Sequence, residues 1–279
     1  GGAGDVGDGG GVDVSFGGRE GGGAGAALAV GRLPEGDMRL QDVRVIFELA
    51  EGSRGGRHFG SRIVEGADGF LHLTIGDRGD RPSAQDLARE NGSVVRVARD
   101  GTVPADNPFT DMAGAASAIW SYGHRNPQGA ALDAEGRLWT VEHGARGGDE
   151  INLIERGANY GWPVISYGRH YSGARIGEGT EKPGLEQPVF YWDPSIAPSG
   201  MTFVSGELFP EWEGDILVGS LKFDLISRLE TDGGVSEVER IQTPETQRVR
   251  DVRLGPDGAI WFISEGNGAV YRMAPAPGG

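Results

Sequence analysis

The chain has 279 residues, 37% hydrophobic and 24% charged, with a net charge of −15. That is the composition of an ordinary globular protein, and its acidity argues against nucleic-acid or anionic-membrane partners, which need a basic face. Cysteine is absent, which excludes disulfides, thiolate metal ligation and a cysteine nucleophile.

Taken in order, residues 1–25 are dominated by glycine, at thirteen of twenty-five positions. So much backbone freedom makes a poor core element. The stretch reads as a flexible segment ahead of a folded domain spanning 26–279. It holds no basic segment followed by an apolar core, so no export signal is read from it. No run of eighteen apolar residues follows, so no membrane insertion through a spanning helix is expected.

From there a turn–strand unit recurs. It opens at Ala67-Asp-Gly, Ala134-Glu-Gly, Trp212-Glu-Gly and Pro256-Asp-Gly, and each acidic-Gly turn runs into branched and aromatic residues. A second strand follows each one, at 92–97, 149–154, 224–229 and 268–273. Such units cannot bury both faces alone and must stack on copies of themselves. Helical periodicity is scarce, and 83–90 is the best short candidate. The fold class is therefore all-β: a β-propeller of about six blades at roughly 40–50 residues each. A β-sandwich is the alternative, disfavoured because a repeated unit is not expected there.

Around the second repeat the chemistry concentrates. The stretch 121–129 brings an Arg125-Asn126 pair, and a glycine-rich acidic loop, 143–150, lies just behind it. Glycines let a backbone approach a ligand and aim its carbonyls. Aspartate and glutamate are the hard oxygen donors that calcium prefers. An anion clamp beside an oxygen-rich loop suggests an acidic cofactor held together with a divalent cation.

Several segments in order carry a family resemblance. They are Arg57-His58-Phe-Gly-Ser-Arg62, Thr74-Ile-Gly-Asp77, Gly123-His-Arg125-Asn126-Pro-Gln-Gly129, Glu142-His143-Gly144, Gly148-Asp-Glu150-Ile-Asn152-Leu and Asn159-Tyr160-Gly-Trp-Pro163. Further on come Pro194-Ser195-Ile-Ala-Pro-Ser199, Gly219-Ser-Leu-Lys222 and Gln247-Arg248-Val-Arg250-Asp-Val252. The series resembles the soluble, pyrroloquinoline-quinone (PQQ)-dependent glucose and aldose sugar dehydrogenases, a six-bladed propeller family. Gly1-Gly-Ala-Gly-Asp5-Val6 resembles the point that follows the family's first blade. An incomplete first blade is therefore expected, with 1–25 as its remnant and two sheet faces left unburied. A cofactor-contacting glutamine that the family places just ahead of this point is missing with it.

The resemblance implies a role for each matching residue. His58 is the general base, suited to removing a hydroxyl proton near neutral pH. Arg125 faces the quinone oxygen and, with Asn126, Lys222, Arg248 and Arg250, forms a clamp for the PQQ carboxylates. Taken singly, such arginines are more often solvated or ion-paired. His143, Tyr171 and Ser195 are cofactor neighbours. The carbonyls of Gly144 and Ala145 hold a calcium ion that also touches PQQ, and Glu150 with the carbonyl of Tyr160 holds a second, structural one. Trp162, Tyr191 and Trp192 could stack on cofactor or sugar, but aromatics in glycine-rich β proteins are more often core, so they are left out of the site. Arg78 stands where the glucose-oxidising branch has glutamine, which leaves the preferred sugar open.

The implied activity is oxidation of an aldose sugar to its lactone by an oxidoreductase of the periplasm or cell exterior, with electrons passed to a soluble or artificial acceptor. A different class of reading is a non-catalytic propeller that binds carbohydrate or a protein partner. A calcium-dependent lactonase is a third, disfavoured by the cationic residues. No Gly-x-Ser-x-Gly elbow, dinucleotide fingerprint or P-loop is present. Zinc held by His58, His143 and a carboxylate lacks the close two-histidine spacing.

Overall fold

The computed structural model describes residues 11–20, 23–50, 52, 53 and 55–276. The glycine-rich stretch 1–10 lies outside them. Among the described residues eighteen strands form five antiparallel sheets, each a meander of neighbours in sequence. The first holds β1 (Gly11–Glu20), β2 (Gly23–Arg32) and β3 (Gln41–Glu48). The second holds β4 (Ile63–Glu65), β5 (Leu71–Ile75), β6 (Ser93–Val97) and β7 (Ile119–Tyr122). β8 (Pro127–Leu132), β9 (Leu138–Glu142), β10 (Asp149–Leu153) and β11 (Phe190–Trp192) make the third. β12 (Pro198–Phe203), β13 (Ile216–Ser220), β14 (Ile226–Glu230) and β15 (Ser236–Ile241) make the fourth. The fifth is β16 (Val249–Leu254), β17 (Ile260–Ser264) and β18 (Ala269–Met273).

These are blades of propeller type, five among the described residues where the sequence suggested six. Chain length overstates the number because long connections consume residues without adding a sheet. The segment 154–189, between β10 and β11, is the clearest case. Part of the glycine-rich leader is ordered as β1, paired residue for residue with β2. The short helix expected at 83–90 is instead a 3-10 turn at Arg81–Gln85, within successive i→i+3 bonds from Ser83 to Asp80, Asp86 to Ser83 and Arg89 to Asp86. Pro82, near its start, has no N–H to give an α-helical ladder. No helix among the described residues is long and apolar enough to cross a membrane.

The chain divides into two compact units. One comprises residues up to 127 with 154–166 and 177–186, and the other comprises the remainder. In the first, alternate residues of successive strands meet: Ala26 and Leu28 of β2, Leu71, Leu73 and Ile75 of β5, and Val95 and Val97 of β6. Their period of two is what a strand dictates. Each such leucine or isoleucine, fully buried, contributes about 1.5–3 kcal/mol. The second unit shows why its strands read as continuous apolar runs. In β13, Ile216 and Val218 face a core with Val141, Ile151 and Met201, while Leu217 faces another with Ile226, Val249 and Ile260. A sheet packed on both faces has no polar side to show. In the last sheet Trp261, Ile263 and Val270 stay exposed, and β3 at the other end of the series carries exposed Val43 and Val45.

Candidate active site

In the first unit, β5 is followed by Gly76-Asp77, against which the loop 55–62 is folded. A side chain at Gly76 would overlap the His58 carbonyl oxygen, so this close approach requires glycine. The loop is strained: His58 and Ser61 have left-handed φ values of 55° and 76°, a conformation that persists only where the surroundings impose it. Here a carboxylate does so. His58 Nδ1 lies 2.6 Å from Asp77 Oδ1, with the His58 side chain 18% exposed and that of Asp77 fully buried. Asp77 also accepts the Gly79 amide at 2.7 Å and the Trp162 indole N–H at 2.8 Å.

Burial by itself pushes Asp77 upward, but the hydrogen bonds from His58, Gly79 and Trp162 outweigh it and hold the acid below the ordinary carboxylate range. An ionised carboxylate only accepts, so Nδ1 of His58 carries a proton and Nε2 is the ring nitrogen left for chemistry. Arg125 and Asn126, both buried, complete this group. The Arg125 carbonyl accepts the Asp77 amide at 2.9 Å, and its guanidinium sits 5.3 Å from the Trp162 ring centroid. Asn126 Oδ1 accepts the Gly60 amide at 3.3 Å. Tyr160 lies in the same unit, stacked on His124 with ring centroids 4.5 Å apart.

In the second unit the organising group is Asp149, the first residue of β10 and fully buried. Its Oδ1 accepts the Gly144 amide at 2.8 Å, and its Oδ2 accepts the Ser195 hydroxyl at 2.7 Å and the Ala197 amide at 2.9 Å. One carboxylate thus ties the loop carrying His143, Gly144 and Ala145 to the loop carrying Ser195. A side chain at Gly144 would overlap the carbonyl oxygens of Gly147 and Gly148, so this turn gathers backbone oxygens where only glycine fits. His143 Nε2 lies 2.5 Å from the Pro198 carbonyl. Lys222 Nζ donates to the Ser195 carbonyl at 3.1 Å.

Arg248 and Arg250 share Glu265, at 3.0 Å and 2.6 Å. Arg248 also donates to the Leu221 carbonyl at 3.0 Å. The bonds from Arg248 and Arg250 hold Glu265 below its usual range. Two cations against one carboxylate, all substantially exposed, remain able to meet an anion. Tyr171 is 75% exposed, in a turn closed by His170 and Ala174.

Glu150 has a neighbour to which the sequence assigned no role. It pairs directly across from Glu142 of β9, and one step along, Asn152 pairs across from Thr140. All four share one face. Burial pushes the Glu150 carboxyl well above its usual range, and the adjacent Glu142 and Asp149 add to this against the pull of Asn152. The side-chain oxygens Asn152 Oδ1 and Thr140 Oγ1 are buried without a hydrogen-bond partner. Two carboxylates and two unsatisfied oxygens form a donor set that fits a hard cation. No group of three or more His, Asp or Glu side chains forms a metal cage among the described residues, so neutral oxygens would have to complete the shell.

Asp77, Trp162, Asp149 and Glu265 were not singled out from the sequence. Asp77 sat inside a quoted motif and Trp162 was read as core. Both signals exist in the chain, but only coordinates show that Trp162 donates to Asp77. A cavity of about 450 Å³ lies among Asp133, Arg137, Trp139, Phe203 and Glu213. It opens at the β8–β9 and β12–β13 turns, the opposite strand ends from His143 and Lys222, and is lined by none of the expected site residues.

The family profile described as Glucose / Sorbosone dehydrogenase matches residues 9–272. The chain belongs to this glucose/sorbosone dehydrogenase family. Among its relatives, the aldose sugar dehydrogenase YliI of Escherichia coli K12 is 43% identical over 257 residues, covering 90% of this chain and 69% of that protein. Two further relatives are covered over 60% and 58% of their lengths. The crystal structure of the soluble E. coli aldose sugar dehydrogenase in its apo form superposes with a TM-score of 0.90 at 40% identity, over 96% of this chain and 79% of that one. The PQQ-bound aldose sugar dehydrogenase of Streptomyces coelicolor matches at 27% identity with a TM-score of 0.75, over 99% of this chain and 74% of that one.

Proposed function

We propose that this family member is a PQQ- and calcium-dependent aldose sugar dehydrogenase that oxidises the anomeric carbon to the lactone. The observation that carries this reading is the His58–Asp77 pair set beside Arg125. Arg125, Asn126, His143, Tyr171, Ser195, Lys222, Arg248 and Arg250 would hold the quinone, their cations meeting its carboxylates. Gly144 and Ala145 would offer carbonyls to one calcium, and Glu150 and Tyr160 would serve a second. When bound, PQQ supplies the acceptor for the hydride leaving the sugar, with calcium as its Lewis acid.

The protein's own part is proton management. Asp77 fixes the imidazole so that Nε2 of His58 presents its lone pair and takes the anomeric hydroxyl proton. The imidazolium so formed stays next to an ionised Asp77, which stabilises its charge. The buried Arg125 places positive charge where negative charge develops on the acceptor. Location in the periplasm or outside the cell, and a soluble or artificial electron acceptor, belong to the same reading through the family resemblance.

Reconstitution tests it. The full chain is titrated with PQQ in calcium, then assayed for dye reduction with a panel of aldoses. Calcium-dependent PQQ binding with aldose-dependent turnover is the expected result. PQQ binding without turnover, or no binding by folded protein, would instead favour a non-catalytic carbohydrate- or partner-binding role.

A further inference from the structure

Arg78, which the sequence comparison connected with sugar preference, occupies a place that rules out contact with a sugar. Its side chain is 1% exposed and its backbone left-handed, with φ of 55°. The guanidinium is spent on backbone carbonyls. Nη1 donates to Arg57 at 2.6 Å, and Nη2 donates to Gly55 at 3.2 Å and Ala24 at 3.3 Å. Its central carbon lies 3.3 Å from the centroid of the Phe59 ring. Burial pulls its pKa down to about 10 against the upward effect of Asp77, so the group is a cation at neutral pH.

These contacts bracket one residue. The Arg57 carbonyl precedes His58 and the Phe59 ring follows it, and both are gripped by the same planar group. Residues 55–60 lie outside the strands, and the backbone bonds that tie this loop to β5 begin only at Ser61 and Arg62, with Thr74. Arg78 is also the chain neighbour of Asp77, which binds His58 on the other side. The base and the carboxylate that orients it are therefore joined twice, through the 2.6 Å imidazole bond and through the Arg78 fork.

We propose that Arg78 is a positioning residue for His58, fixing the 55–59 backbone so that the imidazole meets Asp77 and the substrate hydroxyl in one geometry. The role in turnover rests on the dehydrogenase reading. Two consequences separate this from a role in choosing the sugar. Loss of Arg78 lowers turnover for every aldose alike, and it changes the His58 ring environment even without substrate. A lysine does not replace it, because an ammonium lacks the flat fork that bonds several carbonyls while stacking on Phe59.

The test compares Arg78→Gln and Arg78→Lys with the unmodified full chain loaded with PQQ and calcium. Both variants are expected to lose about 10²-fold in kcat, the scale of a small misplacement of a catalytic group. KM, PQQ affinity and the ranking of glucose, galactose and xylose should be retained. In ¹⁵N NMR the His58 Nδ1 resonance, assigned with His58→Gln, should move away from its hydrogen-bonded position in both variants. An unchanged kcat, or a reordered sugar ranking with kcat retained, overturns the proposal. If both substitutions prevent folding, Phe59→Leu removes the stacking partner alone and should lower kcat without reordering the sugars; an unaltered kcat there also overturns it. Failure of the dehydrogenase reading is seen separately, as an unmodified protein that oxidises no aldose. The His58 resonance then decides alone, and an unmoved signal in Arg78→Gln overturns the positioning role.

Discussion

The Asp77 carboxylate receives His58 Nδ1 at 2.6 Å while its other oxygen is held by the Trp162 indole at 2.8 Å. An acid so anchored cannot turn away from the imidazole, and its ionised state dictates the tautomer. Asp77→Asn keeps the shape but can present an N–H to Nδ1, which drives the proton to Nε2 and disables the base. The expected loss in kcat is about 10²–10⁴-fold, the usual worth of a positioned general base. PQQ affinity, measured by titration, should stay unchanged.

Glu142 and Glu150 face each other across β9 and β10 with two unsatisfied oxygens beside them. On the proposed reading, a calcium ion bound there would relieve the repulsion and satisfy the oxygens. Chelation should therefore lower the melting temperature, and calcium at a hundred times its Kd should restore about 3 kcal/mol. Glu150→Gln should abolish that calcium response while melting no lower than the chelated parent, because one of the two repelling charges is gone. Calorimetry with and without chelator reads both effects.

His72 makes stability depend on pH. It is buried on β5, edge-on to Trp120 at 5.7 Å, and its Nδ1 has no hydrogen-bond partner. Burial pulls its pKa down to about 4; Asp68 opposes this and Arg96 adds to it. The unfolded chain takes up a proton near pH 6.5 that the folded protein refuses until about pH 4. The contribution is thus fully present above pH 6.5 and is lost as pH falls towards 4, amounting to about 3 kcal/mol over the interval. Urea denaturation of His72→Phe should show that much less acid sensitivity than the parent.

Much of the strand plan was legible in the sequence for a specific reason. The acidic-Gly turns at Asp68, Glu135, Glu213 and Asp257 each precede a strand that forms as read, β5, β9, β13 and β17. Turn chemistry is local, and so survives without knowledge of the fold. The first sheet was missed because β1 and the start of β2 are glycine-rich and are specified by pairing with each other, not by any local pattern. The same divide runs through the candidate site. His58, Arg125 and Lys222 could be found from a family likeness, whereas Asp77, Asp149 and Glu265 act through hydrogen bonds between segments far apart in sequence. Trp162 looked like a core aromatic because it is one; its second task lies in a single N–H.

The central claim is that His58 removes the sugar's hydroxyl proton while the bound quinone accepts the hydride. Anaerobic single-turnover reduction of bound PQQ by excess aldose, followed optically in the parent and in His58→Ala, addresses it most directly. The account predicts rapid reduction with lactone formed in the parent, and in the variant equal PQQ occupancy with reduction slowed at least about 10²-fold. Equal rates in the two proteins, or bound PQQ that no aldose reduces in the parent, would contradict it.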